Sequence, residues 1–107
     1  MNKYTELSDF EINKKVTESL KLNTIAYERT EIVLFDDMDA TPFDPCNNPA
    51  DAMPIVFENG ISLISDWNEV GVWGATNQPW YSSENKNPLR AAMEVFLMMK
   101  DAENEKV

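Results

Sequence analysis

Between Thr30 and Asn85 the chain carries ten carboxylates, Glu31, Asp36, Asp37, Asp39, Asp44, Asp51, Glu58, Asp66, Glu69 and Glu84, and no Lys, Arg or His. Closely spaced carboxylates can serve two chemistries. A pair roughly 5 to 9 Å apart can act as acid and base on a glycosidic bond, and a cluster can hold a hard divalent cation. Asp36-Asp37-Met38-Asp39 opens like a calcium loop. Started at Asp37, however, such a loop places Pro42 where a sharp turn needs Gly and Asn48 where bidentate coordination needs Glu. The motif fails, and among ten carboxylates no acid–base pair stands out. We expect a solvated acidic loop, no metal and no cofactor.

Other catalytic systems lack their parts. With no His anywhere, Ser-His-Asp and Cys-His nucleophile systems are excluded, as is the commonest metal ligand. Cys46 is single and sits among Asp44, Pro45 and Asn47, a setting that raises a thiol pKa, so an inert cysteine in a reducing compartment is expected. The only glycines are Gly60, Gly71 and Gly74, which cannot form a phosphate-cradling loop. The expectation is a protein without catalytic residues.

Binding is the remaining class. Nine acids in the flanks face all nine Lys and Arg, so the whole net charge of −10 belongs to the middle of the chain. A field of one sign repels nucleic acid and anionic membrane and attracts basic surfaces at long range. Trp67, Trp73, Trp80 and Tyr81 could form a stacking platform, but such platforms on single strands come with Lys and Arg. Either these rings fill the core or they anchor a protein partner, with Trp80 and Tyr81 the exposed ones. The expected partner surface is Asp36, Asp37, Asp39 and Asp44 with Asp66, Glu69, Trp80 and Tyr81, facing a protein with a basic surface.

The elements that must position these residues can be read from caps and periodicity. At 107 residues the chain fits a single domain, residues 1–107, and its 43 % hydrophobic content is too high for a disordered acidic tail. Ser8-Asp9-Phe10-Glu11 is a capping box, and Ile12, Val16 and Leu20 form the buried stripe of a first helix, with Asn13, Lys14, Lys15 and Glu18 wet. Residues 24–28 and 31–35 read as one or two strands, the apolar run 31–35 being the clearer, and residues 36–45 as a loop. Asn48-Pro49 starts a short helix that Pro54 should leave kinked or partly 3₁₀. Residues 61–64 and 70–75 read as a hairpin, with Gly71 and Gly74 marking bulges or close backbone approach, and residues 77–86 as a polar loop.

Asn87-Pro88 then opens a third helix. Leu89, Ala92, Met93, Phe96 and Leu97 make one apolar face, and Ala91, Val95, Met98 and Ala102 a second. That second face is a candidate homodimer contact through Val95, Met98 and Ala102. The fold class is α+β, a small antiparallel sheet covered by helices. The longest apolar-rich run, residues 89–99, is far short of the roughly 20 residues a membrane span needs. With no signal pattern in the opening residues, an intracellular protein is expected.

Three blocks carry a family resemblance: Ser8-Asp9-Phe10-Glu11-Ile12-Asn13-Lys14, Cys46-Asn47-Asn48-Pro49-Ala50-Asp51-Ala52-Met53-Pro54-Ile55, and Asn87 to Met99. In this order the chain resembles the NinX-like family of small proteins from tailed bacteriophages. The resemblance implies an α-β-α layered domain, an accessory role in the cytoplasm of an infected bacterial host, and no catalytic residue. Combined with the charge, it suggests an acidic, nucleic-acid-mimicking inhibitor of a host defence or nucleic-acid-processing factor. The competing expectation is a structural or assembly protein that acts through the apolar helix face and is acidic only for solubility.

Overall fold

The computed structural model of the chain describes residues 2–77 and 81–105. Its elements run α1 (Asp9–Leu20), β1 (Thr24–Tyr27), β2 (Ile32–Phe35), α2 (Pro49–Glu58), β3 (Ser62–Ile64), β4 (Trp73–Asn77), β5 (Tyr81–Asn85) and α3 (Pro88–Glu105). The α+β class holds. The strands divide between two antiparallel sheets, β1-β2 and β3-β4-β5.

Local chemistry sets the helix ends. The Ser8 hydroxyl accepts from the Glu11 N–H at 3.1 Å, and the Glu11 carboxylate accepts from the Ser8 N–H at 3.1 Å. That backbone donor holds the Glu11 carboxyl below its usual pKa. At the far end Lys21 turns left-handed, φ 57°, and Leu22 N–H returns to the Thr17 carbonyl at 3.0 Å, closing α1 where the apolar stripe ends. The Asn-Pro pairs act as read. Asn48 accepts from Ala50 N–H at 3.0 Å and Asn87 from Leu89 N–H at 2.9 Å, caps each worth about 1 kcal/mol. No 3₁₀ segment forms at Pro54: α2 is α-helical from Pro49 to Glu58.

α3 is the centre of the molecule. Ala91 to Leu97 are all buried, and the helix packs against the three-stranded sheet, α1 and α2. Its first face and the Ala91 and Val95 part of the second are therefore covered from within the chain, while Met98 and Ala102 stay half-buried. Phe96, Ile12, Met93, Val16 and Val95 are the largest fully enclosed apolar side chains, each contributing on the order of 1.5 to 3 kcal/mol. α1 bridges α3 to the smaller sheet by packing on β2.

That smaller sheet gains a partial third strand. Phe35 N–H bonds the Thr41 carbonyl and Phe43 N–H the Val33 carbonyl, both at 2.9 Å, so Asp36 to Ala40 form a tight reversal between β2 and Pro42. On one face of the pair, Val33 is buried. On the other, Ile25, Tyr27 and Ile32 stay exposed, Tyr27 and Ile32 directly paired across the strands.

β5 is a correction: residues 81–85 pair with β4 through all five positions, from Trp73↔Asn85 to Asn77↔Tyr81. The residue this strand buries is Ser83, so no apolar alternation announces it.

Candidate functional site

Two polar assemblies concern the predicted residues, and the first is structural. Asn13, expected wet, is buried because its amide donates to Asp44 Oδ1 at 2.7 Å while its carbonyl oxygen accepts the Cys46 N–H at 3.1 Å. Asp44 N–H donates to Asp51 Oδ2 at 2.9 Å. The Asn47 amide reaches Asp9 Oδ2 at 3.2 Å, and the Asn87 amide bonds the Cys46 carbonyl at 2.7 Å and Asn47 Oδ1 at 3.1 Å. The starts of all three helices are thus tied together by asparagines. The Cys46 to Ile55 block is a clamp, and Asp44 and Asp51 work inside it.

Cys46 is fully buried within this clamp, and burial with the nearby Asp9 carboxylate pushes its thiol well above the ordinary value. A thiol-specific reagent at pH 8 should leave the folded protein unmodified for hours and label Cys46 within minutes in denaturant; rapid labelling without denaturant would contradict the clamp. Timed mass spectrometry reads the result.

Arg90 adds a buried ionic centre. Its Nε donates to Glu94 Oε2 at 2.7 Å, Nη1 to Asp9 Oδ1 at 2.7 Å, and Nη2 to the Tyr4 and Leu7 carbonyls at 2.8 and 2.7 Å. The other oxygen of Glu94 accepts from the Ser83 hydroxyl and, at 3.4 Å, from the Asn2 amide. One guanidinium therefore holds the N-terminal segment against α3, and one carboxylate holds β5 against it.

The second assembly is an open groove over this centre. A hollow of about 830 Å³ is lined by Asn2, Thr5, Trp67, Asn68, Ser82, Ser83, Glu84 and Met98. A neighbouring hollow of about 310 Å³ is lined by Lys3, Tyr4, Tyr81, Met98, Asp101 and Ala102. Met98 lines both hollows, so they adjoin. In the smaller one the Tyr4 hydroxyl donates to Asp101; burial and that carboxylate raise the phenol's pKa. Lys3 pairs with Asp101 at 3.1 Å.

Trp67 is fixed by the loop between β3 and β4. Its N–H bonds the Val72 carbonyl at 2.8 Å, Gly71 N–H bonds Asp66 Oδ1 at 3.0 Å, and Asp66, Asn68 and Gly71 all have positive φ. The indole lies on Gly74, where an added Cβ would stand 2.3 Å from the ring. Of the two sequence readings for Gly74, close approach is the one realised.

Each predicted site residue can now be placed. Asp36, Asp37 and Asp39 are exposed on the reversal after β2, where Asp37 Oδ1 accepts from the Asp39 and Ala40 N–H groups at 3.0 and 2.8 Å. Asp44 is half-buried in the clamp. Asp66 and Glu69 are exposed in the loop that carries Trp67. Tyr81, Met98 and Ala102 come together in the smaller hollow. Trp80 lies outside the described residues. The proposed homodimer face needs correction: Val95 is fully buried between α3 and its neighbours and cannot meet a second chain.

Sequence reasoning passed over Asn2, Thr5, Asn68, Ser82, Ser83 and Glu84 as groove residues, and it did not place Trp67 among the partner-binding ones. The available signal was Trp67 followed within a turn's length by two glycines, one of which seats the ring. Among the described residues, no group of three or more His, Cys, Asp and Glu side chains is arranged to hold a metal ion. No helix there is long and apolar enough to cross a membrane.

Fold and groove together define a small acidic α+β domain organised around one central helix. A family model described as Bacteriophage P22, NinX matches residues 3–100, and the chain belongs to that family of phage proteins. Neither a search of curated proteins nor a search of solved structures returned a match.

Proposed function

We propose that this phage accessory protein is non-enzymatic and binds a basic surface of a host protein, as an acidic inhibitor of a host defence or nucleic-acid-processing factor. The observation that carries this reading is the distribution of ion pairs. Every salt bridge among the described residues uses an acid of the flanks: Asp101 with Lys3, Glu28 with Lys14, Asp9 and Glu94 with Arg90, Glu103 with Lys100. None of the ten central carboxylates has a Lys or Arg partner there. Their field is left for something outside the chain, and a partner that normally holds phosphates supplies the complementary sign.

The test is capture from a bacterial host lysate at about 50 mM and about 500 mM salt, conditions that change the Debye length from above to below 10 Å. A partner retained at low salt, lost at high salt, and lost from the Asp36→Asn, Asp37→Asn, Asp39→Asn variant is the expected result. Retention that ignores salt would remove the reading.

One observation favours a second reading, assembly through an apolar face. Ile25, Tyr27 and Ile32 are 42 to 45 % exposed on the outer side of the β1-β2 pair. Under that reading, Ile25→Thr with Ile32→Thr abolishes partner capture and the Asn variant does not.

A further inference from the structure

We propose that the groove beside Trp67 takes an arginine side chain of the basic partner, the guanidinium lying against the indole and its N–H groups meeting Glu84. The inference rests on the basic-partner reading and adds where and how that partner is gripped.

The groove's lining decides the class of ligand. Among the described residues it offers an aromatic ring, the amides of Asn2 and Asn68, the hydroxyls of Thr5, Ser82 and Ser83, and a single charge, the exposed Glu84. That charge is near the ring: the Asn68 amide donates to Glu84 Oε2 at 3.4 Å, and Asn68 follows Trp67 directly. The cation in the adjoining hollow, Lys3, is engaged with Asp101. A ring and a carboxylate side by side, without a competing cation among the described lining residues, attract a positive group through the ring face and by charge-assisted hydrogen bonds.

Guanidinium fits better than ammonium here. It is planar, so it can stack on the indole and still present several N–H groups in its plane to Glu84, the Asn68 side-chain oxygen and the exposed Ser82 hydroxyl. An ammonium is a compact, strongly hydrated point charge that gains from Glu84 alone. The platform is also ready before binding, because the 65–72 loop is closed by its own hydrogen bonds and Gly74 seats the ring, so little ordering is required.

The experiment titrates the full chain with the acetylated, amidated tripeptides Gly-Arg-Gly, Gly-Lys-Gly and Gly-Gln-Gly at low ionic strength, following indole and backbone NMR signals. Expected are saturable shifts at the Trp67 indole N–H, Asn68 and Glu84 with the arginine peptide, weaker ones with lysine and none with glutamine. Glu84→Gln, a change at an exposed side chain, should weaken the arginine peptide about fivefold or more, whereas Asp36→Asn, which removes the same charge elsewhere, should leave it unchanged. Equal binding of the glutamine or lysine peptide overturns the guanidinium assignment. Shifts confined to residues 36–40, or no shifts, overturn the groove. If Glu84→Gln protein still captures its lysate partner in a salt-sensitive way with undiminished strength, the groove assignment fails while the basic-partner reading stands.

Discussion

Arg90→Met should cost about 3 to 5 kcal/mol of folding stability, because it removes one member of a buried pair and leaves the other charge enclosed. Glu94 has no exposed surface, and without Arg90 its Oε2 loses a 2.7 Å charge-assisted bond. The carbonyls of Tyr4 and Leu7 lose their donor in the same step. Against a total stability of roughly 5 to 15 kcal/mol for a domain of this kind, such a loss leaves it marginal. Urea unfolding followed by circular dichroism measures it, and a shift corresponding to less than about 1 kcal/mol would show that the pair is not the tie described. Adding Glu94→Met to Arg90→Met should recover part of the loss, since an apolar pair of similar volume leaves no orphaned charge. Recovery will be incomplete, because Ser83 and Asn2 then lose their acceptor.

Gly74→Ala should cost about 1 to 3 kcal/mol for a single added methyl. The new Cβ would meet three indole atoms of Trp67 at 2.3, 2.4 and 2.6 Å, so either the ring or strand β4 must move. The ring is the part with somewhere to go, and a red shift of tryptophan fluorescence should accompany the loss of stability. A double-mutant cycle separates this clash from any effect on the strand itself: in a Trp67→Ala background Gly74→Ala should be close to neutral. If the penalty persists there, the indole is not its cause. Groove binding of the arginine peptide should fall with the same substitution, since the platform is displaced.

Helix starts were legible because their chemistry is local. Ser8-to-Glu11 and the two Asn-Pro pairs carry their hydrogen bonds within three residues, so spacing alone reveals them. β5 was not legible, because its inward residue, Ser83, is buried by pairing with Glu94 on α3, eleven residues away along the chain. Asn13 misled for the same reason. An amide on a helix reads as solvated unless the chain's return through Asp44 and Cys46 is known. The second apolar face of α3 was read correctly as apolar, but periodicity cannot distinguish a face covered by the same chain from one that needs a partner. Val95 shows the former. At the site, the acidic segments were visible as composition, while the groove is made by juxtaposing Asn2 and Thr5 with residues 67–68, 82–84 and 98, which no short pattern contains.

The position of α3 has a consequence for how the protein comes into being on a ribosome. The helix around which everything else packs spans Pro88–Glu105 and is synthesised after α1, α2 and all five strands. Until it emerges, the apolar sides of α1, α2 and the β3-β4-β5 sheet lack the helix they share, and the N-terminal segment lacks the guanidinium that seats Tyr4 and Leu7. The nascent chain therefore lacks its central packing surface through most of its translation, and closing it late brings the N-terminal segment and α1 against the last helix. During that interval its excess of negative charge keeps one unfinished chain from adhering to the next, a service the carboxylates render through like-charge repulsion alone.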